Sequence, residues 1–267
     1  GVSLVRERAV MLLDAVDFSL HSPLEQVAML NSLAYSVNSA CRQLMARDIQ
    51  FNFARTTTGD GFYIWNRAQT TDANIALYKL LLLILADNAV AQSKTLRFPV
   101  PRLRAAFHVG SHYEFHQVEA LNPTTFSYIV GPVTIELSRF VEQALAGQIL
   151  LGDFRIALPG DAAAASPVTS SDTIDFMRHT ADRLHELDGL TVANDRVAQI
   201  RCYLTGPHQA DGSYGVQRYR IADKHGLAHC VYNAKINIHL AGSRPIFLGY
   251  QHRDLHGEGA RVWAEMA

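Results

Sequence analysis

Cysteine is scarce in this sequence: 267 residues hold only Cys41, Cys202 and Cys230. An odd number without regular spacing argues against a disulfide framework or a Cys-x-x-Cys motif. Unpaired thiols in a reducing cytoplasm are expected instead. Excess charge of one sign is also lacking, since 25 acidic residues face 24 basic ones for a net charge of -1. That balance leaves no basic footprint for DNA or RNA, so no nucleic-acid partner is expected. A small anion needs only a local positive site. Long apolar runs are missing as well. The most apolar stretch, 75–86, carries Lys79 and stops at Asp87. It is too short to span a bilayer and reads as a buried core helix, with no direct membrane association expected. Arg6 and Arg8 are not followed by a secretory apolar run. No convincing Ser-His or Cys-His nucleophile arrangement is present.

What is present suits one large domain, or a domain with a smaller appendage: 48% of residues are hydrophobic, enough to bury a sizeable core. Residues 4–14 end in an apolar run, Ala9-Val10-Met11-Leu12-Leu13, and read as a strand closing on Asp14. Pro23 opens a helix. Residues 49–54 and 62–65 read as two strands of a hairpin, with Thr58-Gly59-Asp60-Gly61 as its turn. A helix is expected over 71–91, strands over 103–110 and 128–130, a helix over 132–146 stopped by Gly147, and a strand over 148–151. Residues 159–172 are small, polar and Ala/Ser-rich, as in a linker. Beyond them a helix is expected over 173–187 and strands over 199–205, 214–221, 230–240 and 245–251. The expected organisation is a first domain over 1–158, a linker over 159–172 and a small domain over 173–267.

Asp14 and Asp60 stand out. One ends an apolar strand and the other tips a neighbouring hairpin, so adjacent strands would bring the carboxylates together. Close carboxylates repel unless a proton or cation lies between them, and hard divalent cations take oxygen ligands. An aspartate in a Gly-Asp-Gly turn is also a common turn former.

Four segments resemble class III nucleotide cyclases, the adenylate and guanylate cyclase family, in family order over roughly residues 8–154. Asp14-Ala15-Val16-Asp17-Phe18-Ser19 is similar to the family's first metal-binding segment, and Thr58-Gly59-Asp60-Gly61-Phe62 to its second. Arg104 to Gly110 resembles the Arg-x-Gly-x-His-x-Gly strand. Residues 131–140 with Ala146-Gly147-Gln148-Ile149-Leu150 resemble the family's helix and following strand. The resemblance implies an α+β fold, a mixed and largely antiparallel sheet flanked by helices around a ferredoxin-like core. It further implies two Mn2+ or Mg2+ ions on Asp14, Asp60 and the Ala15 carbonyl. The triphosphate would lie on backbone amides of Val16, Asp17 and Phe18. Arg139 would reach a partner's active site across a homodimer. The family asparagine falls at Ile135, which has no side-chain hydrogen bond to offer. Thr134 or Ser138 substitutes, or ribose is held differently, or activity is lost.

The two positions that choose the base in the family fall on Thr56 and Tyr128, and neither matches a purine pair. A tyrosine fills space a purine would use, and its ring and hydroxyl suit a smaller base. The segments 200–207, 223–229 and 232–237 resemble the small C-terminal (AGS-C-type) domain of Pycsar pyrimidine cyclases. That likeness implies UTP ahead of CTP, cyclic UMP as a second messenger in anti-phage defence, and a separate effector protein. A purine cyclase and a non-catalytic nucleotide-binding module are the alternatives. His108, His112 and His116, spaced by four, would share a face only on a helix, whereas strand and loop are expected there. His225 and His229 are a weak zinc candidate, and Lys224 and Lys235 are candidates for gripping a triphosphate.

Overall fold

The computed structural model describes residues 2–49, 51–94, 97–119, 122–159, 168–223, 226–256 and 264–265. Strand β1 (Val2–Ala15) leads to helix α1 (Pro23–Met45) and to the hairpin of β2 (Phe53–Thr57) and β3 (Gly61–Asn66). Helix α2 (Thr71–Gln92), strands β4 (Leu103–Glu119) and β5 (Asn122–Val130), helix α3 (Pro132–Gln143) and β6 (Ile149–Gly152) follow. Next come β7 (Arg155–Pro159), β8 (Val168–Asp172), α4 (Thr173–Asp182), β9 (Thr191–Val192) and β10 (Asp195–Leu204). The chain closes with β11 (Arg218–Ala222), β12 (Ala228–Leu240), β13 (Ile246–Gly249) and β14 (Ala264–Glu265).

The fold is α+β. The main sheet runs β14-β11-β12-β6-β4-β1-β3-β2, with β10 and β13 also on β12, and β5 on β4. Among the described residues only the β4–β6 pairing is parallel. One apolar core lies between the sheet and α1, α2 and α4; the other lies under α3. The apolar stripe of α3 is buried as its periodicity requires, with Val133, Leu137, Phe140, Val141 and Ala144 all inside.

Several boundaries differ from expectation. The second strand begins at Phe53 rather than at residue 49, because its register is set by pairing with β3, Thr56 opposite Tyr63. Strand β4 continues to Glu119 and β5 begins at Asn122, since each supplies the other's backbone partners. Helix α3 ends at Gln143, where the Gln148 side chain accepts from the Leu145 amide at 2.8 Å and closes a turn instead. Strand β11 starts at Arg218, four residues late, and a short 3-10 turn, Leu184–Leu187, replaces the end of the expected helix.

The segment expected as a linker is strand at both ends: β7 and β8 pair antiparallel, Arg155 opposite Asp172. Nor does the sheet stop at that segment. β12 pairs with β6, Asn233 opposite Leu150, so the portions before and after it share a sheet and a core.

Helix α2 has the length and apolarity to cross a membrane, yet 83% of its most apolar window is buried within the fold. Its Lys79 is 1% exposed and meets Glu186 at 2.7 Å. Burial lowers the Lys79 pKa and Glu186 partly restores it. Removing the carboxylate strands a buried ammonium, whereas removing the lysine strands nothing buried. Glu186→Ala is therefore expected to cost about 2 kcal/mol, discounted for the partial exposure of the carboxylate, and Lys79→Met clearly less. Urea denaturation of both variants checks the order.

Candidate active site

Three strands deliver the site. β1 ends at Asp14, which lies opposite Gly61 of β3 on one side and Arg104 of β4 on the other. Gly61 is required by close approach: a Cβ there would sit 1.8 Å from the Leu13 carbonyl oxygen. That contact lets the β2–β3 turn fold onto the end of β1, and the Ala15 amide donates to the Asp60 carbonyl at 3.0 Å. Thr58 Oγ1 donates to Asp60 Oδ1 at 3.1 Å and orients that carboxylate. Asp14, Ala15 and Asp60 are thus brought together.

Asp14 is 8% exposed, and burial pushes its pKa up. The Arg104 guanidinium pulls it down, with Nε donating to Oδ2 at 2.7 Å, and the nearby Asp60 carboxylate pushes it up again. Arg104 is a site residue that sequence reasoning left without a role. Its signal was there: a lone charge in Leu103-Arg104-Ala105-Ala106-Phe107, an otherwise apolar strand. Tyr63 was also missed. Burial and the charges of Asp14 and Asp60 push its hydroxyl up to about 12, and it donates to the Thr134 carbonyl at 2.9 Å. It ties the aspartate site to α3.

The other candidates fall as follows. The Val16 amide donates to the Arg102 carbonyl at 2.9 Å and is not free for phosphate, which corrects the expectation for that residue. Asp17 has left-handed backbone, φ 59°, caps the short turn Phe18–Leu20, and pairs with Arg102 at 3.0 Å. The amides of Asp17 and Phe18 have no backbone partner among the described residues. Thr56 is half-buried on β2 beside Tyr63.

Tyr128 lies elsewhere. It is opposite Phe115, which is opposite Val2, so it sits by the far end of β1 from Asp14. Its ring stacks on Phe115 with centroids 5.0 Å apart. Within one chain, Tyr128 and the aspartates do not meet.

Arg139, expected to reach a partner's site, is held by neighbours in its own chain. Its side chain is 16% exposed and is engaged within the chain: Nη1 donates to Glu142 at 3.0 Å and Nε lies 3.5 Å from Asp223. Ile135, one turn earlier, does face outward at 57% exposure. Of its two possible substitutes, Thr134 is committed, its hydroxyl donating to the Gly131 carbonyl at 2.9 Å to cap α3. Ser138 remains.

His108, His112 and His116 do share one side of β4, which continues as strand through all three. They are nevertheless held separately: His108 by Glu136 at 2.6 Å, His112 beside Arg8 at 3.4 Å, His116 by Ser127 at 3.1 Å. No group of three or more His, Cys, Asp or Glu side chains suited to a metal occurs among the described residues. Lys235 donates to the Gly249 carbonyl at 3.2 Å and lies over the Phe247 ring. Lys224 and His225 lie outside the described residues.

Comparison with solved structures finds nucleotide cyclase domains. One is the guanylyl cyclase Cya2, with 13% identity, 88% of this chain and 93% of that one covered, and a TM-score of 0.48. The guanylate cyclase domain of RhGC from Catenaria anguillulae in complex with GTP shows 13% identity over 64% of this chain and 96% of that one, TM-score 0.45. The adenylyl cyclase CyaB from P. aeruginosa shows 12% identity over 64% and 95%, TM-score 0.42. No protein-family model matches, and no curated protein matches. Likeness at this level assigns neither activity nor substrate, and the functional reading rests on the site itself.

Proposed function

We propose that the chain is a homodimeric nucleotide cyclase that closes UTP into 3′,5′-cyclic UMP and pyrophosphate. The observation that carries this reading is the convergence of Asp14 and Asp60 at the end of β1, with Arg104 against one Asp14 oxygen. Two carboxylates and a nearby backbone carbonyl form an all-oxygen donor set that fits hard divalent cations. Mn2+ or Mg2+ held by Asp14, Asp60 and Ala15 would supply Lewis acidity for ring closure by the 3′-hydroxyl and for departure of pyrophosphate. No protein nucleophile is needed, because the 3′-oxygen forms the new bond to the α-phosphorus as the bond to pyrophosphate breaks.

The chain's own residues have defined tasks in this reading. Arg104 favours the ionised form of Asp14 and orients it against the cost of burial. The Asp17 and Phe18 amides receive the triphosphate, without Val16. Arg139 leaves Asp223 and donates to the α-phosphate of the partner's substrate, where negative charge grows. Thr56 and Tyr128 frame the base, and Tyr128 leaves room for a pyrimidine.

A dimer is supported by an apolar exposed face. Leu4, Tyr113 and Val130 form one cross-strand row at 49%, 51% and 58% exposure, and Val2, Phe115 and Tyr128 form the next. Ile135 of α3 is exposed as well. A patch of this kind on a sheet face needs a cover. A second copy would also join the aspartates of one chain to Tyr128 and Arg139 of the other. By this reading the catalytic residues all lie in the 1–158 portion, with 173–267 as an attached small domain, and the product acts on a separate effector in anti-phage defence. A non-catalytic nucleotide-binding module is favoured by one observation, the apolar Ile135 with Thr134 already committed.

Product analysis with Mn2+ and all four ribonucleotides tests the proposal. Cyclic UMP as the main product is expected. Cyclic AMP or cyclic GMP would keep the cyclase and remove the base assignment, and bound nucleotide without any cyclic product would overturn catalysis. A shared site has its own signature. Asp14→Asn and Arg139→Ala homodimers, each inactive, should regain about a quarter of wild-type activity on mixing, since half the exchanged dimers carry one complete site. Mixtures that stay inactive while subunits exchange would place Arg139 outside the shared site.

A further inference from the structure

A large cleft lies away from the aspartates. It encloses about 570 Å3 between α4, β10 and the stretch holding Tyr214 and Val216. It shares no lining residue with β1, with the β2–β3 turn or with α3. Its volume falls in the range of small-molecule sites.

The lining is chemically uneven. Ile174, Met177 and Leu204 make an apolar floor. Also in the lining, the Tyr203 hydroxyl gathers hydrogen bonds from Gln251 Nε2 at 2.9 Å and Asn237 Nδ2 at 3.3 Å. That arrangement fixes the Asn237 amide, whose Oδ1 is buried with no hydrogen-bond partner. A buried acceptor without a donor is costly, and its cost is removed by a ligand N–H or O–H.

Two arginines complete the wall, Arg178 and Arg201, and among the described residues no acidic side chain lines the cleft. Arg178 is held at Nη1 by Asp175 and Arg201 at Nε by Gln199, so each guanidinium is steadied by one neighbour. Their remaining N–H groups can take an anion. Tyr214, 67% exposed, offers an aromatic face. Strand β10 adds one more feature: its outer edge is paired through Val197, by β9 and by Gly189 and Leu190, and from there to Leu204 it has no strand partner on that side among the described residues.

We infer that this cleft is a second binding site, for a planar aromatic anion that carries an N–H or O–H donor. The ring system lies on Met177 and Leu204, the donor meets Asn237 Oδ1, and the negative group meets Arg178 and Arg201. The site does not depend on the cyclase reading, as none of its residues belongs to the aspartate site.

The full-length chain can be titrated with 1-anilinonaphthalene-8-sulfonate, which has a planar ring system, one N–H and one sulfonate. A single saturable site is expected. N-phenyl-1-naphthylamine, the same rings without the sulfonate, should bind ~10-fold more weakly or worse. The Arg178→Glu/Arg201→Glu double variant should weaken sulfonate binding by a similar factor. Both arginines are exposed, so its melting temperature should stay at the wild-type value. Asn237→Leu should weaken both probes, since both donate through the same N–H. Emission that never saturates, or equal binding by wild type and the double variant, would overturn the site.

Discussion

Asp14→Asn is expected to remove cyclic-nucleotide formation by ~1,000-fold or more while leaving the fold as stable as wild type or more so. The loss follows from deleting one of two carboxylates that would hold charge at the reacting phosphate, where a single preorganised group is worth factors of this size. The stability follows from linkage. Burial and Asp60 raise the folded-state pKa of Asp14 above its unfolded value. For a carboxyl shifted upward, the favourable contribution is complete below the unfolded pKa, near 3.9, and is lost as pH rises through the folded pKa. Above the folded pKa the ionised Asp14 therefore works against folding, and an amide of the same shape relieves that conflict. Arg104 loses its charged partner but is partly exposed, so water can take over. Turnover and urea midpoints measured on the same preparation check both halves. A variant that keeps full activity would rule out the carboxylate mechanism, and one that unfolds would show Asp14 to be structural.

The second large effect is on the fold. Gly61→Ala is expected to destabilise the protein by about 4 kcal/mol or more, among the largest single-residue costs. The added Cβ would lie 1.8 Å from the Leu13 carbonyl oxygen and 3.1 Å from the Asp14 Cα, and both are backbone atoms that no rotamer change can move. β1 and β3 would have to part where Asp14 lies opposite Gly61, and the aspartate site would open with them. Gly59, two residues earlier in the same turn, is the control. It has φ +102° and open space around it, so alanine there meets only backbone strain, roughly 1–2 kcal/mol. Urea midpoints of the two variants should differ clearly. Equal midpoints would mean that the strands are not packed as tightly as described.

Much of the site could be read before any coordinates. Asp14 follows five consecutive apolar residues, and that run is buried between helices and sheet. Thr58-Gly59-Asp60-Gly61 carries its own turn chemistry, so the hairpin needed no long-range information. The stripe of α3 was legible for the same reason: helical period is a local property.

Apart from Asp14 and Asp60, residue pairs far apart in the chain were not legible. The start of β2 depends on which residues β3 offers, so periodicity in 49–54 pointed four residues early. The role of Arg104 appears only when β4 lies beside β1. Helical geometry alone says which face of α3 carries Arg139. It cannot say that Asp223, brought in by the end of β11, would meet that face. The same holds for Lys79, whose partner Glu186 lies in another element entirely. A buried charge is explained only by its partner.

By itself, then, the sequence determined the α+β composition, the aspartate-bearing strand end and turn, and the buried face of α3, because each depends on neighbours within a few residues. Only the tertiary structure decided that the two portions of the chain share one sheet through β12 and β6. It alone separated Tyr128 from the aspartates, tied Arg139 to Asp223, and formed the cleft over Asn237. Those outcomes rest on strand register and on ion pairs between distant elements, and neither leaves a periodic trace along the chain.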